Sequence, residues 1–335
     1  MGYQAGELIL DDHYNAFVTN SSSPYGINHI LGVGDGAYGM GQTELSDLAV
    51  AGESITATKW NSLFTVMDTV AGQTNTSITS TAARTAGDLV AVKAALESDL
   101  ASLASAVAGG SVNASSGVTA AAADVTNTAS QVYDQSHVSE CSFTFDGGDE
   151  ARWFFNAGGR LRVVVTNTAT GTTAKDNLVQ GLIDQTGTFD LRATTSTITG
   201  TPEDDTTGSD LSIGYYDLTT SYQTIHTITE STSTYSATYD GQITLTIEAK
   251  TSAAHADGRN NNGEVVTIKV TTSVDDGVYT DYDATNIAGT PVETESAGPT
   301  NHLFSTVDPN TTFLTTAYDN VSVVSVSNPT TDSGT

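Results

Sequence analysis

The feature that most constrains this chain is a change in the spacing of its apolar residues near residue 138. Before that point they recur every three or four positions, which is the spacing of one face of an α-helix. After it they alternate with polar residues, a pattern typical of half-buried β-strands. We therefore predict an α+β multidomain chain, with a helical N-terminal region followed by an all-β, sandwich-like C-terminal region.

The same patterns give approximate boundaries. Residues 1–108 are predicted to be the helical region and residues 138–335 the β region, the latter as one domain or two subdomains. The intervening residues 109–137 are rich in Gly, Ser, Ala and Thr and carry few large apolar side chains, so we predict a connector there. A length of 335 residues is consistent with two folding units.

Short helices are predicted near the N-terminus. Asp11 or Asp12 is expected to cap a helix that carries Tyr14 on its apolar side. Ser23-Pro24 is expected to begin another, because serine favours the N-cap and proline the first helical position.

Two longer helices are predicted further along the chain. Thr56 is expected to cap the first, which should end near Gly72. The second spans roughly residues 84–107, with charged residues such as Asp99 mainly away from its apolar face. The apolar stripes are formed by Trp60, Leu63, Phe64, Leu89, Leu96 and Leu103. We interpret these positions as packing or assembly residues.

A glycine-rich segment separates the short helices from the longer ones. Gly34, Gly36 and Gly39 match the G-x-G-x-x-G pattern of dinucleotide-binding loops. That fingerprint requires a preceding strand and a helix after it, whereas here a helix precedes and further glycines follow. We therefore predict a structural loop that is ordered by the packing of Tyr38.

The β region contains a series of short segments with strand character, separated by Gly-containing turns. The segments are 141–145, 153–155, 161–165, 189–191, 211–213, 225–228, 235–239, 243–247, 265–270 and 321–323. Trp153, Phe154 and Phe155 are expected to anchor the β core beside a Gly-Gly turn.

Composition excludes several functional classes. Lys and Arg number 11 against 39 Asp and Glu, and the resulting formal charge of −28 repels nucleic-acid phosphates and anionic lipids. No apolar run approaches the length of a membrane span, and the N-terminus lacks the features of a secretory signal, so we expect synthesis in the cytoplasm and no membrane insertion. The single cysteine, Cys141, allows no internal disulfide.

No motif indicates catalysis. The six histidines lack zinc-site spacing, and there is no G-x-S-x-G nucleophile elbow. The acidic segments 203–205, 275–276 and 281–283 could hold a cation such as calcium, but solvated acidic loops are the favoured interpretation. We expect no catalytic residues, no cofactor and no metal ion.

Several segments resemble structural proteins of tailed phages, especially those of cyanophages and other marine myophages. The first is Asp12-His-Tyr14-Asn15, followed by the glycine loop ending at Gln42 and by a segment from Gly52 to Leu63 that contains Trp60-Asn61. The stretch 150–162 resembles the R-x-F-F-N-x-G-G-x-[IL] hairpin of the same proteins, and 262–270 is a third similarity. In the loop this chain has two extra residues relative to the usual Gly-Tyr-Gly-Gln.

The resemblance implies a non-enzymatic virion structural protein of the neck or tail-fibre type. Its helical region would mediate assembly, with itself as a homo-oligomer and with other neck or tail proteins, and its β region would face outward. The alternatives are a capsid decoration protein, a host-receptor or glycan-binding adhesin, and a virion-bound hydrolase. In the adhesin hypothesis a saccharide would contact outer loops that carry Tyr215, Tyr216, Asp275, Asp281 and Asp283.

Overall fold

The structure is a computed structural model that describes residues 10–86, 93–111, 124–128, 136–167, 174–201, 208–231, 242–253, 263–275, 300–315 and 321–330. Over these residues the chain has mixed α+β architecture, with six α-helices and two antiparallel sheets of five strands each. The helices are α1 (Asp11–Thr19), α2 (Ile27–Leu31), α3 (Ala57–Thr74), α4 (Lys93–Ala108), α5 (Gly148–Asn156) and α6 (Ala174–Thr186). The strands are β1 (Val125–Thr128), β2 (Ser136–Thr144), β3 (Arg160–Asn167), β4 (Thr188–Leu191), β5 (Ser196–Ile198), β6 (Gln223–Ser231), β7 (Gln242–Thr251), β8 (Val265–Asp275), β9 (Thr300–Val307) and β10 (Ser322–Thr330).

The two short helices begin differently from the prediction. The N-cap of α1 is Leu10, which makes no side-chain cap, and Asp11 and Asp12 lie in the first turn, where their charges favour the helix dipole. The expected start at Ser23-Pro24 is wrong, because α2 begins at Ile27 with Gly26 as its N-cap. The intervening segment is held as a turn by Gly26 N–H, which donates to the Asn20 carbonyl at 2.8 Å.

Helix α3 begins as predicted and ends later. The Thr56 hydroxyl accepts a hydrogen bond from the Lys59 N–H at 3.3 Å, as an N-cap does. The predicted end at Gly72 is wrong, because the helix continues to Thr74 and is capped by Asn75 in the left-handed conformation, φ 55°. Gly72 instead lies inside the helix, where the ring of Phe313 packs against it.

Helix α4 buries Leu96 and Leu103, whereas Leu89 lies outside the described residues. Asp99 does not lie on a solvent face as expected. It is buried, and its carboxylate accepts hydrogen bonds from the Thr79 and Ser80 N–H groups and from the Ser80 hydroxyl, at 2.6–2.9 Å. The loop before α4 therefore supplies the polar partners that allow the carboxylate to be buried.

The strands form two sheets in which every neighbouring pair is antiparallel. One sheet has the order β1-β9-β3-β4-β5 and the other β10-β2-β8-β7-β6. Strand β2 alternates buried and half-buried residues throughout, and its Cys141 lies opposite Ile268 of β8. Strand β1 falls within residues 109–137 and pairs with β9.

The region predicted to be all-β contains two helices. Residues 153–155 lie in α5 and not in a strand, because Ala151, Phe154 and Phe155 recur at helical spacing and Asp149 and Glu150 occupy a first helical turn. Helix α6 lies between β3 and β4, and residues 211–213 form a turn rather than a strand. The expected strand at 235–239 lies outside the described residues.

Two hydrophobic clusters organise the molecule. The larger combines apolar residues of both sheets with Phe154, Phe155, Val179 and Leu182 of α5 and α6. The smaller lies among α1–α4 and also includes Ala157 and Leu314 from the later part of the chain. None of the helices in the described part of the chain is both long and apolar enough to cross a membrane.

Candidate functional site

The glycine-rich segment forms a loop that folds back on the end of α2. The Gly39 N–H donates to the Ile30 carbonyl at 3.1 Å, and the Gly41 N–H to the Gly32 carbonyl at 2.9 Å. Gly36, Gly39 and Gly41 have positive φ values of 60°, 89° and 64°. These conformations favour glycine and explain the composition of the loop without a phosphate ligand.

Side chains from the later half of the chain bind the carbonyls of this loop. Arg152 Nη2 donates to the Gly34 carbonyl at 2.9 Å, and Asn156 Nδ2 to the Gly39 carbonyl at 2.9 Å. The Tyr216 hydroxyl lies 2.6 Å from Asn156 Oδ1 and 3.2 Å from the Gly36 carbonyl. All three glycines of the G-x-G-x-x-G pattern therefore contact a side-chain donor of α5 or of the 3₁₀ turn Tyr215–Asp217. We call this arrangement the glycine-loop junction.

Arg152 is the charged centre of the junction. Its side chain is only 2% exposed, and Nη1 forms an ion pair at 2.9 Å with Asp149, which is largely exposed. Burying a guanidinium is costly unless its donors are paired, and here a carbonyl pairs Nη2 and a carboxylate pairs Nη1, while Nε has no hydrogen-bond partner among the described residues. The same charge acts on His29 of α2, whose pKa is lowered by burial and by Arg152 although Asp35 opposes the shift.

Further packing contacts and hydrogen bonds surround the junction. The Trp153 ring lies against Gly41, where an added Cβ would come within 2.7 Å of it. Gln73 of α3 donates from Nε2 to the Ala157 carbonyl at 2.6 Å, and Gln42 accepts from the Thr315 N–H at 2.9 Å. Tyr38 is half-buried, with its ring 4.3 Å from that of Tyr25. The helical segments and the β region thus meet through buried polar bonds.

The predicted stripe residues of the N-terminal helices pack within the chain. Tyr14, Trp60, Leu63 and Phe64 are all buried, and the Tyr14 and Trp60 rings meet edge to face at 5.2 Å. The Tyr14 hydroxyl donates to the Lys59 carbonyl at 2.9 Å. Burial and the nearby Asp47 raise the pKa of Tyr14 to about 12.

The expected ligand loop at Tyr215 and Tyr216 is not an outer loop. Tyr215 is fully buried, its ring stacks on Phe155 at 4.2 Å and its hydroxyl donates to the Gly263 carbonyl at 3.2 Å. Tyr216 is 6% exposed and belongs to the glycine-loop junction. Asp275 ends β8, while Asp281 and Asp283 lie outside the described residues. Neither tyrosine is therefore placed to contact a saccharide.

Three buried histidines contact other segments of the chain, which the scattered sequence positions do not show. The rings of His137 and His302 stack at 4.2 Å, and His302 lies within hydrogen-bond distance of Ser139 (2.9 Å) and Thr272 (3.0 Å). His226 contacts the Ser209 hydroxyl at 2.7 Å. Burial lowers the pKa of all three, to about 4 for His226.

The chemistry available to the remaining reactive groups is limited. Burial, followed by the charge of Asp124, raises the pKa of Cys141 to about 12, so the thiol stays protonated near neutral pH. Within the described ranges, no group of three or more His, Cys, Asp or Glu side chains is arranged to hold a metal ion.

Comparisons with known proteins identified no matching family model, curated protein or solved structure.

Proposed function

We propose that the protein is a non-enzymatic structural subunit of a tailed-phage particle, of the neck or tail-fibre type. The observation that supports this is the glycine-loop junction. Segments that resemble phage structural proteins bind one another there, since α5, with its Arg152-x-Phe154-Phe155-Asn156 sequence, holds the loop that ends at Gln42. Residues used in this way build a rigid scaffold.

Residues of other segments of the resemblance also form hydrogen bonds within the chain. Asn15 forms a reciprocal pair with Ala49, in which Nδ2 donates to the carbonyl at 2.9 Å and Oδ1 accepts from the N–H at 2.8 Å. Gly263 of the third segment accepts from Tyr215 beside α5. Residues of the segments that resemble phage structural proteins therefore maintain the internal architecture of the chain, as expected of a subunit whose role is assembly.

We infer that the helical region and the β region have different roles in the particle. The glycine-loop junction joins the N-terminal helices to the sandwich-like pair of sheets. The helical region docks into the particle, and the β region faces outward. Partners are further copies of the chain and other neck or tail proteins, and the protein resides in the virion. Because Trp60, Leu63 and Phe64 are covered within the chain, outer surfaces of the helices make the partner contacts.

Immunogold electron microscopy of intact particles tests this proposal. Antibodies are raised against the purified full chain and applied to particles from a lysate of the encoding phage, with antibody depleted on the same protein as the control. We expect gold at the neck, tail or fibres. Gold over the whole head would instead indicate capsid decoration. Unlabelled particles, despite the protein being present in the lysate, would overturn the virion proposal and favour a free adhesin or enzyme.

A further inference from the structure

Three of the six arginines of this acidic chain converge on one carboxylate. Arg162 of β3 binds Asp190 of β4 in a bidentate manner, from Nε at 2.7 Å and Nη2 at 2.9 Å. Arg160 Nη1 donates to Asp190 Oδ2 at 2.9 Å. Arg192 Nη2 lies 3.9 Å from the same oxygen, which is too far for a hydrogen bond.

The cluster has more positive than negative charge. Three guanidinium groups face one carboxylate whose side chain is 3% exposed and already accepts three hydrogen bonds. Arg192 is the surplus member, with 44% of its side chain exposed. Its pKa is lowered by burial and by the repulsion of Arg160 and Arg162, although Asp190 opposes the shift. A further anion would relieve this repulsion.

The surplus charge borders a recess beside the cluster. Arg160 and Arg192 line it together with Phe155, Ala193 and three glycines, Gly110, Gly158 and Gly159. The three glycines contribute no side chains that would fill the recess. The recess has a volume of about 20 Å³, which is room for about one water-sized group. A larger anion would therefore place only one or two of its oxygens in it, and a sugar ring would stay outside.

We propose that this recess binds a single oxyanion group, a carboxylate or a sulfate, presented by a small or polymeric acidic ligand. Arg192, together with the donors of Arg160 that have no partner among the described residues, supplies planar N–H pairs that match such oxygens. Asp190 keeps Arg160 and Arg162 in place, so binding needs little reorganisation of β3 and β4. The inference does not depend on a virion location.

Isothermal titration calorimetry of the full chain tests the proposal, with sodium sulfate and sodium glucuronate as probes and neutral glucose as a control. Titrations at constant ionic strength near 0.15 M separate site binding from general screening, because the Debye length there is about 8 Å. The key variant is R192A, which leaves the hydrogen bonds between Asp190 and its two other arginines intact. R192K retains the charge but loses the planar fork. K250A is the matched control, since it removes one positive charge from β7, in the other sheet.

We expect the wild-type protein to bind at least one of the two anions and not glucose. R192A should weaken that binding at least tenfold, R192K should have an intermediate effect and K250A should leave it unchanged. Tighter binding of glucuronate than of sulfate would assign the group to an acidic saccharide, and equal binding to a free oxyanion. The proposal is overturned if neither anion binds the wild-type chain. It is also overturned if R192A, shown by circular dichroism to be folded, binds the anion as tightly as the wild type and K250A do.

Discussion

Gly39 and Gly52 share a backbone conformation but differ in their surroundings. Their φ values are 89° and 86°, so alanine at either position costs about 1 kcal/mol of conformational strain. At Gly39 an added Cβ would also lie 2.7–2.9 Å from backbone atoms of Gly34 and Gly32, whereas at Gly52 it would meet nothing within 4 Å. We expect Gly39→Ala to lower the free energy of unfolding by about 3 kcal/mol and Gly52→Ala by about 1, measured by urea denaturation. Equal losses would show that the close contacts at Gly39 carry no cost.

The hydroxyl of Tyr216 provides a second test of the glycine-loop junction. Tyr216→Phe deprives Asn156 Oδ1 and the Gly36 carbonyl of that donor in a buried site, and a lost buried partner costs about 1–3 kcal/mol. Tyr25→Phe is the control, because no hydrogen bond of the Tyr25 hydroxyl is found among the described residues. Urea denaturation should show the loss for Tyr216→Phe and less than about 0.5 kcal/mol for Tyr25→Phe. Similar losses of unfolding free energy in both variants would show that the Tyr216 hydroxyl does not stabilise the junction.

Helix α3 and the segment around Phe313 constrain each other at Gly72. Alanine normally stabilises a helix interior by about 1 kcal/mol relative to glycine. Here an added Cβ would lie 2.3–2.8 Å from the Phe313 ring, so we expect Gly72→Ala to destabilise the chain by about 1–3 kcal/mol through overpacking. With Phe313→Ala already present, the same change should become stabilising. A double-mutant cycle of unfolding free energies measures this reversal of sign, and additive effects would contradict it.

Helices α3 and α5 show what sequence patterns can and cannot predict at this scale. The N-cap and buried stripe of α3 follow from local chemistry, and both are present. Its end did not follow, because Gly72 is required by contact with Phe313, more than 200 positions away in the chain. In α5 the short aromatic run suits a strand or a helix equally, and only the helical spacing of Ala151, Phe154 and Phe155 decides between them.

The polar members of the glycine-loop junction were harder to predict than its glycines. Arginine is rarely buried, so the sequence gives no reason to place Arg152 in the interior. Its burial depends on the Gly34 carbonyl, 118 positions away. Tyr215 and Tyr216 suggested a ligand loop for a similar reason, since a tyrosine pair is compatible with either recognition or burial. Long-range partners decide such cases.

At the scale of the whole molecule, the two sheets are joined by polar as well as apolar contacts. His302 of β9 contacts Ser139 of β2 and Thr272 of β8, so one histidine connects strands of both sheets. A neutral imidazole can make these contacts. A charged imidazole would have no counter-ion among these partners, because Ser139 and Thr272 are both neutral. The free energy of unfolding should therefore depend on pH through these contacts between the two sheets.

The direction of that dependence follows from the lowered histidine pKa values. His226, with a pKa of about 4 in the folded chain against about 6.5 when unfolded, binds fewer protons when folded anywhere between those values. Stability is therefore fully present above pH 6.5 and is lost as the pH falls towards 4. Between pH 7.5 and 5 we expect His226 alone to account for a loss of about 2 kcal/mol in the free energy of unfolding, with His137 and His302 adding losses of the same sign.

The variant His226→Gln isolates this contribution from the acidic surface. The formal charge of −28 opposes folding at neutral pH, and carboxylate protonation relieves that repulsion below about pH 5, so the two effects have opposite signs. Urea denaturation at pH 7.5, 6.5, 5.5 and 5.0 in 0.5 M NaCl screens the surface charges but not the cost of charging a buried imidazole. We expect stability to fall less steeply with acidification in His226→Gln than in the wild type, whatever the absolute stability of the variant. Identical slopes would mean that His226 takes up its proton equally well in both states and that acid weakens the molecule elsewhere.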